Sequence, residues 1–497
     1  MKPLFPYQAA AIAELRQSYL DGHKRPVLQS PTGSGKTRIA AEIINSALER
    51  GRRVTFTVPA LSLIDQTIEA FWAEGIRDIG VMQADHRMTA GRRPVQVASV
   101  QTLARRKFPD TDLVIVDEAH RAYDVVYRWM KEKPDLLFCG LSATPWTKGM
   151  GKHYDDLIVV STTKDLIEAG RLSPFQVYAP SHPDLSGVKT VRGDYHEGEL
   201  AEAVNTTGLV ADIVQTWQQK AENRPTLVFA VDRAHAKHLQ ERFLAAGVPT
   251  AYQDMNTTDA ERSAIRRSFH DNSIKVVCNV GTLTTGVDWD VRCIVLARPT
   301  KSEILFTQIV GRGLRTNPDK RDCLILDHAD NHLRLGFVTD IHHDHLDDGN
   351  PKVAKKRKAP LPKECPRCHY LRPPRQMTQP CPQCGYVAVK PAAGLGWATR
   401  DKRERDGTLH RFNGRRMTSL VKVNGTLMDP ADLYKELMIY AEERGYKRAF
   451  ADVAYKEVVG AWPEGMRGRP SLVTTVSPSI LRWLKARQIA YHRNKNA

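Results

Sequence analysis

Short apolar runs alternate with amphipathic stretches along the first two thirds of the chain, and they do so in two sets. In the first set the runs Val54–Val58, Val95–Val100, Leu113–Val116 and Leu136–Leu141 are separated by stretches of helical period such as Leu61–Ala73. Runs that are apolar on both faces suit strands covered by helices on both sides, so this spacing predicts a doubly wound parallel sheet. The second set comprises Thr226–Val231, Lys275–Val280, Cys293–Ala297 and Cys323–Leu326, interleaved with helical patterns near Ala234–Ala246, Asp259–Phe269 and Ser302–Val310. It predicts a second sheet of the same α/β kind. Between the sets, Thr162–Asn205 is broken by prolines and glycines, which places a junction near Arg171.

Two strand ends in the first set carry chemistry. Ser30-Pro-Thr-Gly-Ser-Gly-Lys-Thr37 lies between a short apolar run (Val27, Leu28) and a helical run (Ile39, Ala40, Ile43, Ile44, Leu48), the order a phosphate cradle needs. Gly33, Ser34 and Gly35 would close backbone N–H groups around phosphate oxygens. Lys36 would reach the β and γ phosphates, and the Thr37 hydroxyl would ligate Mg²⁺. Ser30 stands where the usual pattern has its opening glycine. Asp117-Glu-Ala-His120 ends the strand Leu113–Val116, so Asp117 and Glu118 emerge at the carboxyl edge of a buried strand, where nucleotide sites lie. Asp117 would hold Mg²⁺ and Glu118 would polarise the attacking water. Together the two segments imply hydrolysis of a nucleoside triphosphate, with ATP the expected one.

The second set adds Gln308-Ile-Val-Gly-Arg-Gly-Leu-Arg315, with two guanidinium groups three residues apart. Planar, permanently charged forks suit phosphate oxygens, so Arg312 and Arg315 would cross a cleft to the γ phosphate. Taken alone, the segment also suits a surface helix with incidental arginines.

Composition sets outer bounds. At 497 residues the chain has room for about three domains. The start shows no signal-peptide pattern and no apolar run reaches membrane-span length, so a cytoplasmic protein with no membrane partner is expected. Residues 351–497 carry 30 Lys and Arg against 12 Asp and Glu, whereas residues 1–350 are close to neutral. A polycationic rear suits a polyanion, most simply nucleic acid, although part of the excess is the run Lys355-Lys-Arg-Lys358, which also suits a solvated tail. Four cysteines, Cys139, Cys278, Cys293 and Cys323, lie in or beside apolar strands and read as core thiols. The other four, Cys365, Cys368, Cys381 and Cys384, form two C-x₂-C pairs able to surround one Zn²⁺ in a zinc ribbon. Disulfides are the rival pairing, disfavoured in a cytoplasmic chain, and His369 is an alternative ligand.

Pro6-Tyr-Gln8, Pro31–Thr37, Val58–Gln66, Asp117–His120, Ser142-Ala-Thr-Pro145, Gly281–Asp288 and Gln308–Arg315 occur in the order and spacing of the superfamily 2 helicases of DEAH-box type. Within them Asn279–Asp327 resembles the bacterial DNA-repair helicases of the RadD type and their phage-borne relatives. The resemblance implies two tandem RecA-like domains (1–170 and 171–345), then a basic linker (346–362), the zinc ribbon (363–390) and a small, mainly helical basic domain (391–497). It implies that Gln8 reads the adenine with Tyr7 or a neighbour stacked near it. Ser142, Thr144 and Gln308 would couple hydrolysis to the nucleic-acid track, and Gly286 and Asp288 would bridge nucleotide and domain closure. Gln66, Thr67, Gln101 and Thr102 would touch the phosphodiester backbone. The expected partner is DNA, single-stranded, forked or branched. Three activities fit: an unwinding or remodelling DNA motor, a duplex translocase that never separates strands, and an ATP-gated clamp. An RNA helicase differs from the first only in its substrate. The basic tail has interleaved aromatic residues (Phe412, Tyr434, Tyr446, Phe450, Trp462, Trp483), which suit a second grip on nucleic acid or, given the helical period of Leu433, Leu437, Ile439 and Tyr440, a small core.

Overall fold

A computed structural model of the chain describes residues 3–83, 86–191, 193–284, 288–350, 360–387, 410–412, 417–419, 421–423, 426–459, 462–463, 473–481, 483–485 and 487. It divides into two compact units, Met1–Val389 and Lys390–Ala497.

The first unit holds two parallel sheets. Strands β1 (Pro26–Gln29), β2 (Val54–Val58), β3 (Ile79–Val81), β4 (Val95–Ser99), β5 (Leu113–Asp117), β6 (Leu137–Ser142) and β7 (Asp156–Val159) form a seven-stranded sheet in the order β3-β4-β2-β5-β6-β1-β7. Each pairing in it is parallel. The central strands β2, β4 and β5 are almost wholly buried because their Val and Ile side chains meet helices on both faces. Register then decides the chemistry. Gln29 pairs with Ser142 and Asp117 with Leu141, so the ends of β5, β6 and β1 lie side by side at one carboxyl edge.

The second sheet is built from β8 (Phe175–Tyr178), β11 (Thr226–Phe229), β12 (Thr250–Gln253), β13 (Val276–Asn279), β14 (Cys293–Leu296) and β15 (Cys323–Asp327), in the order β12-β13-β11-β14-β15-β8. A two-stranded hairpin, β9 (Thr190–Val191) with β10 (Asp194–Tyr195), is inserted after β8. The hydrophobic pattern marked β1 only through its Val27-Leu28 run and did not mark β3, β7, β8 or β12; in β3 and β8 a glycine and a glutamine interrupt the apolar run. The segment read as a broken junction therefore contains β8, the edge strand of the second sheet. The four strand cysteines are buried in β6, β13, β14 and β15, and burial pushes the Cys139 thiol up to about 12.

Helix Glu303–Gly313 lies against β14 and β15 at very short range: a methyl at Gly313 would stand 2.4 Å from Cys323 Sγ and 2.9 Å from Ile294 Cγ1. The cysteine-rich module follows, with β16 (Lys363–Glu364) antiparallel to β17 (Leu371–Arg372). It covers the open edge of β8 through a Tyr178–Tyr370 bridge and the Ala179 N–H donating to the His369 carbonyl at 3.0 Å, which protects that edge from foreign strands. Residues 346–350, within the segment expected to be a basic linker, lie against the first sheet's lobe, where Leu346 packs against the cluster that includes Met150 and Tyr154. The run Lys355–Lys358 lies outside the described residues.

In the second unit the helices Pro430–Glu443 and Ala449–Val459 pack around Leu433, Leu437, Tyr440, Ala454 and Ile480, and two short hairpins accompany them (His410–Phe412 with Met417–Ser419, Val421–Val423 with Thr426–Met428). Tyr434 is part of that core, whereas Tyr446 and Trp462 are exposed.

Gly313→Ala is expected to destabilise the chain by about 1–3 kcal/mol through overpacking, seen as a lower unfolding midpoint. An unchanged midpoint would show that the helix does not seat this closely.

Candidate active site

The phosphate loop joins β1 to helix Lys36–Leu48 with two residues in the left-handed region, Gly33 (φ +88°) and Gly35 (φ +87°). Both also lack room: a Cβ at Gly35 would stand 2.6 Å from Gln8 Nε2, and one at Gly33 would meet Leu172 at 3.0 Å and Arg315 at 3.3 Å. Ser30 has its own use. Its N–H donates to the Ser142 carbonyl at 2.8 Å and its hydroxyl meets that of Ser34 at 2.5 Å, while the Ser34 hydroxyl also lies 2.6 Å from the Pro31 carbonyl. The departure from glycine thus braces the loop from within. Lys36 Nζ donates to the Ser30 carbonyl at 3.1 Å.

At the end of β5, burial first and then the neighbouring Glu118 push the Asp117 carboxyl up to about 7, against the opposing pull of Lys36. Glu118 has φ +50°, a conformation that costs a non-glycine residue energy and turns its side chain off the line of the strand. Its Oε2 lies 3.3 Å from His120 Nδ1. His120 is buried, which lowers its pKa to about 4 and keeps the ring neutral. The Gln308 amide meets His120 Nε2 at 2.9 Å. With that amide donating, the ring proton belongs on Nδ1, 2.9 Å from Ser142 Oγ, which itself accepts the Thr144 N–H at 3.0 Å.

Gln308 comes from the other lobe. Helix Glu303–Gly313 is pressed so closely on the phosphate loop that a Cβ at Gly311 would stand 2.8 Å from Thr32 Cβ. Four residues after Gln308, Arg312 Nε donates to the Thr284 carbonyl at 3.0 Å. Burial and then Arg315 bring the Arg312 pKa down to about 10, opposed by Glu118 and Asp288. Arg315 Nη1 lies 2.6 Å from Asp288 Oδ1. Lys36, Thr37, Asp117, Glu118, Arg312 and Arg315 all line one cavity of about 480 Å³, a size suited to a small-molecule ligand. The Lys36 pKa is lowered chiefly by burial and further by both arginines, while Glu118 and Asp117 oppose the shift. Such a pocket favours a polyanion beside the cations and a divalent cation beside Asp117.

The remaining expected residues fall unevenly. Gln8 is buried under the loop, its Oε1 accepting from Phe5 N–H and its Nε2 donating to the Ser34 carbonyl at 3.1 Å. Its amide is thus engaged with the phosphate loop. Tyr7 donates to the same carbonyl at 2.8 Å. Gln66 and Thr67, in the helix Ile64–Ala73, line the same cavity as Lys36 and Arg315. Gln101 and Thr102 lie in the short helix after β4, where Thr102 N–H is capped by Ser99 Oγ at 3.1 Å. Gly286 lies outside the described residues. Sequence reasoning missed the His120–Gln308 contact; the signal was Gln308 standing one helical turn before Arg312, on the same face.

The Cys365–Cys384 and Cys368–Cys381 Sγ pairs are each 3.7 Å apart, and all four sulfurs lie within 4.8 Å of one another. Four sulfurs about 2.3 Å from one zinc ion stand about 3.8 Å apart in a tetrahedron, so the donor set and spacing fit Zn²⁺. His369 is turned aside to Glu364.

Comparison with known proteins places the chain in a family. Residues 1–147 match the family described as type III restriction enzyme, res subunit, and residues 208–317 match the helicase conserved C-terminal domain. The chain is 30% identical over 375 residues to a 51.5 kDa protein of a Lactococcus phage, an alignment covering 72% of this chain and 77% of that protein. It is 29% identical over 357 residues to the putative ATP-dependent helicase IRC3 of Saccharomyces cerevisiae, covering 65% of this chain and 50% of that one. The fold is similar to a fragment of a putative HsdR subunit of a type I restriction enzyme from Vibrio vulnificus, with a TM-score of 0.52 and 21% identity over 70% of this chain and 67% of that one. The chain belongs to the superfamily 2 helicases, a class of ATP-dependent nucleic-acid helicases and translocases. Among the described residues no helix is long and apolar enough to cross a membrane.

Because the folded-state pKa of Asp117 is raised, stability contributed by its protonated form is present below the ordinary aspartate value and lost as pH rises through about 7. Asp117→Asn is therefore expected to melt above wild type at about pH 8 without divalent cations and to match it at about pH 3.5. A constant difference across that range would contradict the shift. Metal analysis is expected to find about one zinc per chain, lost in Cys381→Ser; wild-type protein free of zinc would refute the assignment.

Proposed function

We propose that this chain is an ATP-driven DNA motor in which one triphosphate is held by groups of both lobes. The observation that carries the reading is the shared cavity of Lys36 and Asp117 from the first sheet with Arg312 and Arg315 from the second. Lys36 and the loop N–H groups of Gly33 to Thr37 bind the β and γ phosphates, and Arg312 and Arg315 take up charge on the γ phosphate as it leaves. Asp117 and Thr37 would hold Mg²⁺, which supplies charge neutralisation on the same phosphates. Glu118 orients the attacking water and accepts its proton, steadied by His120. Asp288 holds Arg315 in the cleft. Gln8 and Tyr7 set the loop rather than the chemistry.

Phosphate release removes the anion shared by the three cations, so closure loses its reward and the lobes part. His120, bonded to Ser142 on one side and Gln308 on the other, carries that change between lobes. Gln101 and Thr102, at the carboxyl edge after β4, remain the proposed backbone contacts. The DNA substrate is supported by the match to a restriction-enzyme family and by the polycationic rear, and gripping a backbone predicts steep salt dependence. The Asp117–His120 signature and the block Asn279–Asp327 support a DEAH-type motor of the RadD kind, acting on forked or branched DNA in repair, recombination or phage replication. The setting would be the cytoplasm of a bacterium or a phage-infected one. The restriction-subunit match favours a second reading, translocation on duplex without strand separation.

Lys36→Ala and Glu118→Gln separate the roles. The first is expected to abolish DNA-stimulated ATP hydrolysis, and the second to keep ATP binding while losing about 10²- to 10⁴-fold in rate. Wild-type turnover in Lys36→Ala, or loss of ATP binding in Glu118→Gln, would overturn the assignments. Strand displacement on forked against blunt duplexes decides between unwinding and translocation.

A further inference from the structure

Residues 341–350 leave the second lobe and return to the first, touching both sides of the cleft on the way. His343 Nε2 lies 3.0 Å from Glu303 Oε2, in the first turn of the helix that carries Gln308 and Arg312. The other face of the contact is Trp146 of the first lobe, whose ring centroid is 4.7 Å from that of His343. Asp347 then fastens the loop after β6: its Oδ1 accepts the Gly149 N–H at 3.0 Å and its carbonyl accepts the Gly151 N–H at 2.8 Å. The Gly349 N–H closes on the same Oδ1 at 2.7 Å and gives the segment its turn. Close packing supports the docking, since a Cβ at Gly151 would stand 3.2 Å from the Asp347 carbonyl oxygen.

The fastened loop also holds the coupling residues. Thr144 N–H donates to Ser142 Oγ, Trp146 N–H to the Thr144 carbonyl, and the Thr147 hydroxyl to the His120 carbonyl. His120 meets Gln308. The contacts therefore close into a ring: Gln308 to His120, His120 to Thr147, along the chain to Trp146, Trp146 to His343, His343 to Glu303, and along one helix back to Gln308. In a single row of contacts either lobe can shift while the other stays. In a ring, movement of the helix at Gln308 also moves the loop at Trp146.

We infer that His343 and Asp347 are positioning residues, a strap that holds the Ser142–Lys152 segment in register with the helix of Gln308 and Arg312 so that nucleic acid and ATP hydrolysis are coupled. This rests on the ATP-driven motor reading above. Neither residue lines the nucleotide cavity, so neither is assigned to binding or bond cleavage.

The test measures kcat and KM for ATP in the full-length chain, with and without a single-stranded DNA oligonucleotide. His343→Ala and Asp347→Ala are expected to lower the DNA-stimulated kcat about two- to thirtyfold while the rate without DNA and the KM for ATP stay within about twofold. Asp347→Asn keeps the Oδ1 acceptor and is expected to restore most of the stimulated rate. Equal losses with and without DNA, no loss at all, or an Asp347→Asn variant as poor as Asp347→Ala would each overturn the strap. If Asp347→Ala does not fold, His343→Ala, whose side chain is one-third exposed, decides by the same comparison. Lys36→Ala is run beside them. Full turnover there defeats the motor reading itself, whereas an inactive Lys36→Ala with unaffected strap variants defeats the strap alone.

Discussion

Three cations crowd one desolvated cleft, and the rest of the first unit is arranged around keeping them there. Lys36 belongs to one sheet, Arg312 and Arg315 to the other, and the arginines help lower the pKa of the lysine. Like charges at this range repel, and Asp117, held near neutrality by burial, offsets them only in part. Glu118 and Asp288 supply the balance. A polyphosphate relieves the repulsion better than any side chain present, because it satisfies all three cations and the loop N–H groups together. In the motor proposed above, closure of the two lobes and affinity for the nucleotide would be one free-energy term.

Close approach makes that term possible. Gly311 lets the second lobe's helix lie against Thr32, and Gly33 admits Leu172 and Arg315. A bulkier residue at either point would hold the guanidinium groups away from the phosphate loop. Around this contact the neutral His120 links the acidic strand end to Ser142 and to Gln308 of the other lobe. The cysteine module serves the same lobe differently. It covers the open edge of β8, which would otherwise present unpaired backbone groups.

Much of this was legible in residue order. The long strands of both sheets declared themselves through apolar runs buried on both faces, and the loop Ser30–Thr37 and the acidic end Asp117–Glu118 followed from the strands they terminate. Short strands such as β3 and β8 did not, because a glycine in one and a glutamine in the other interrupt the apolar run. Periodicity identified the helix Ile64–Ala73 but not which cavity its side chains would line, and here Gln66 and Thr67 line the one that holds Lys36. In the tail, Tyr434 belongs to a core while Trp462 is exposed, a division that the shared basic and aromatic composition did not contain.

By itself the sequence determined the chemistry available: loop glycines with a lysine, an acidic strand end, two arginines three residues apart and four paired cysteines. These are local, because each depends on residue types at short spacing along one strand, loop or helix. Only the tertiary structure decided that the arginines face the lysine, that Gln308 meets His120, and that residues 343–349 cross back to hold the loop after β6. Those are contacts between residues far apart in the chain. Their existence depends on how two sheets pack across a cleft, a property of surfaces that no single stretch of sequence carries.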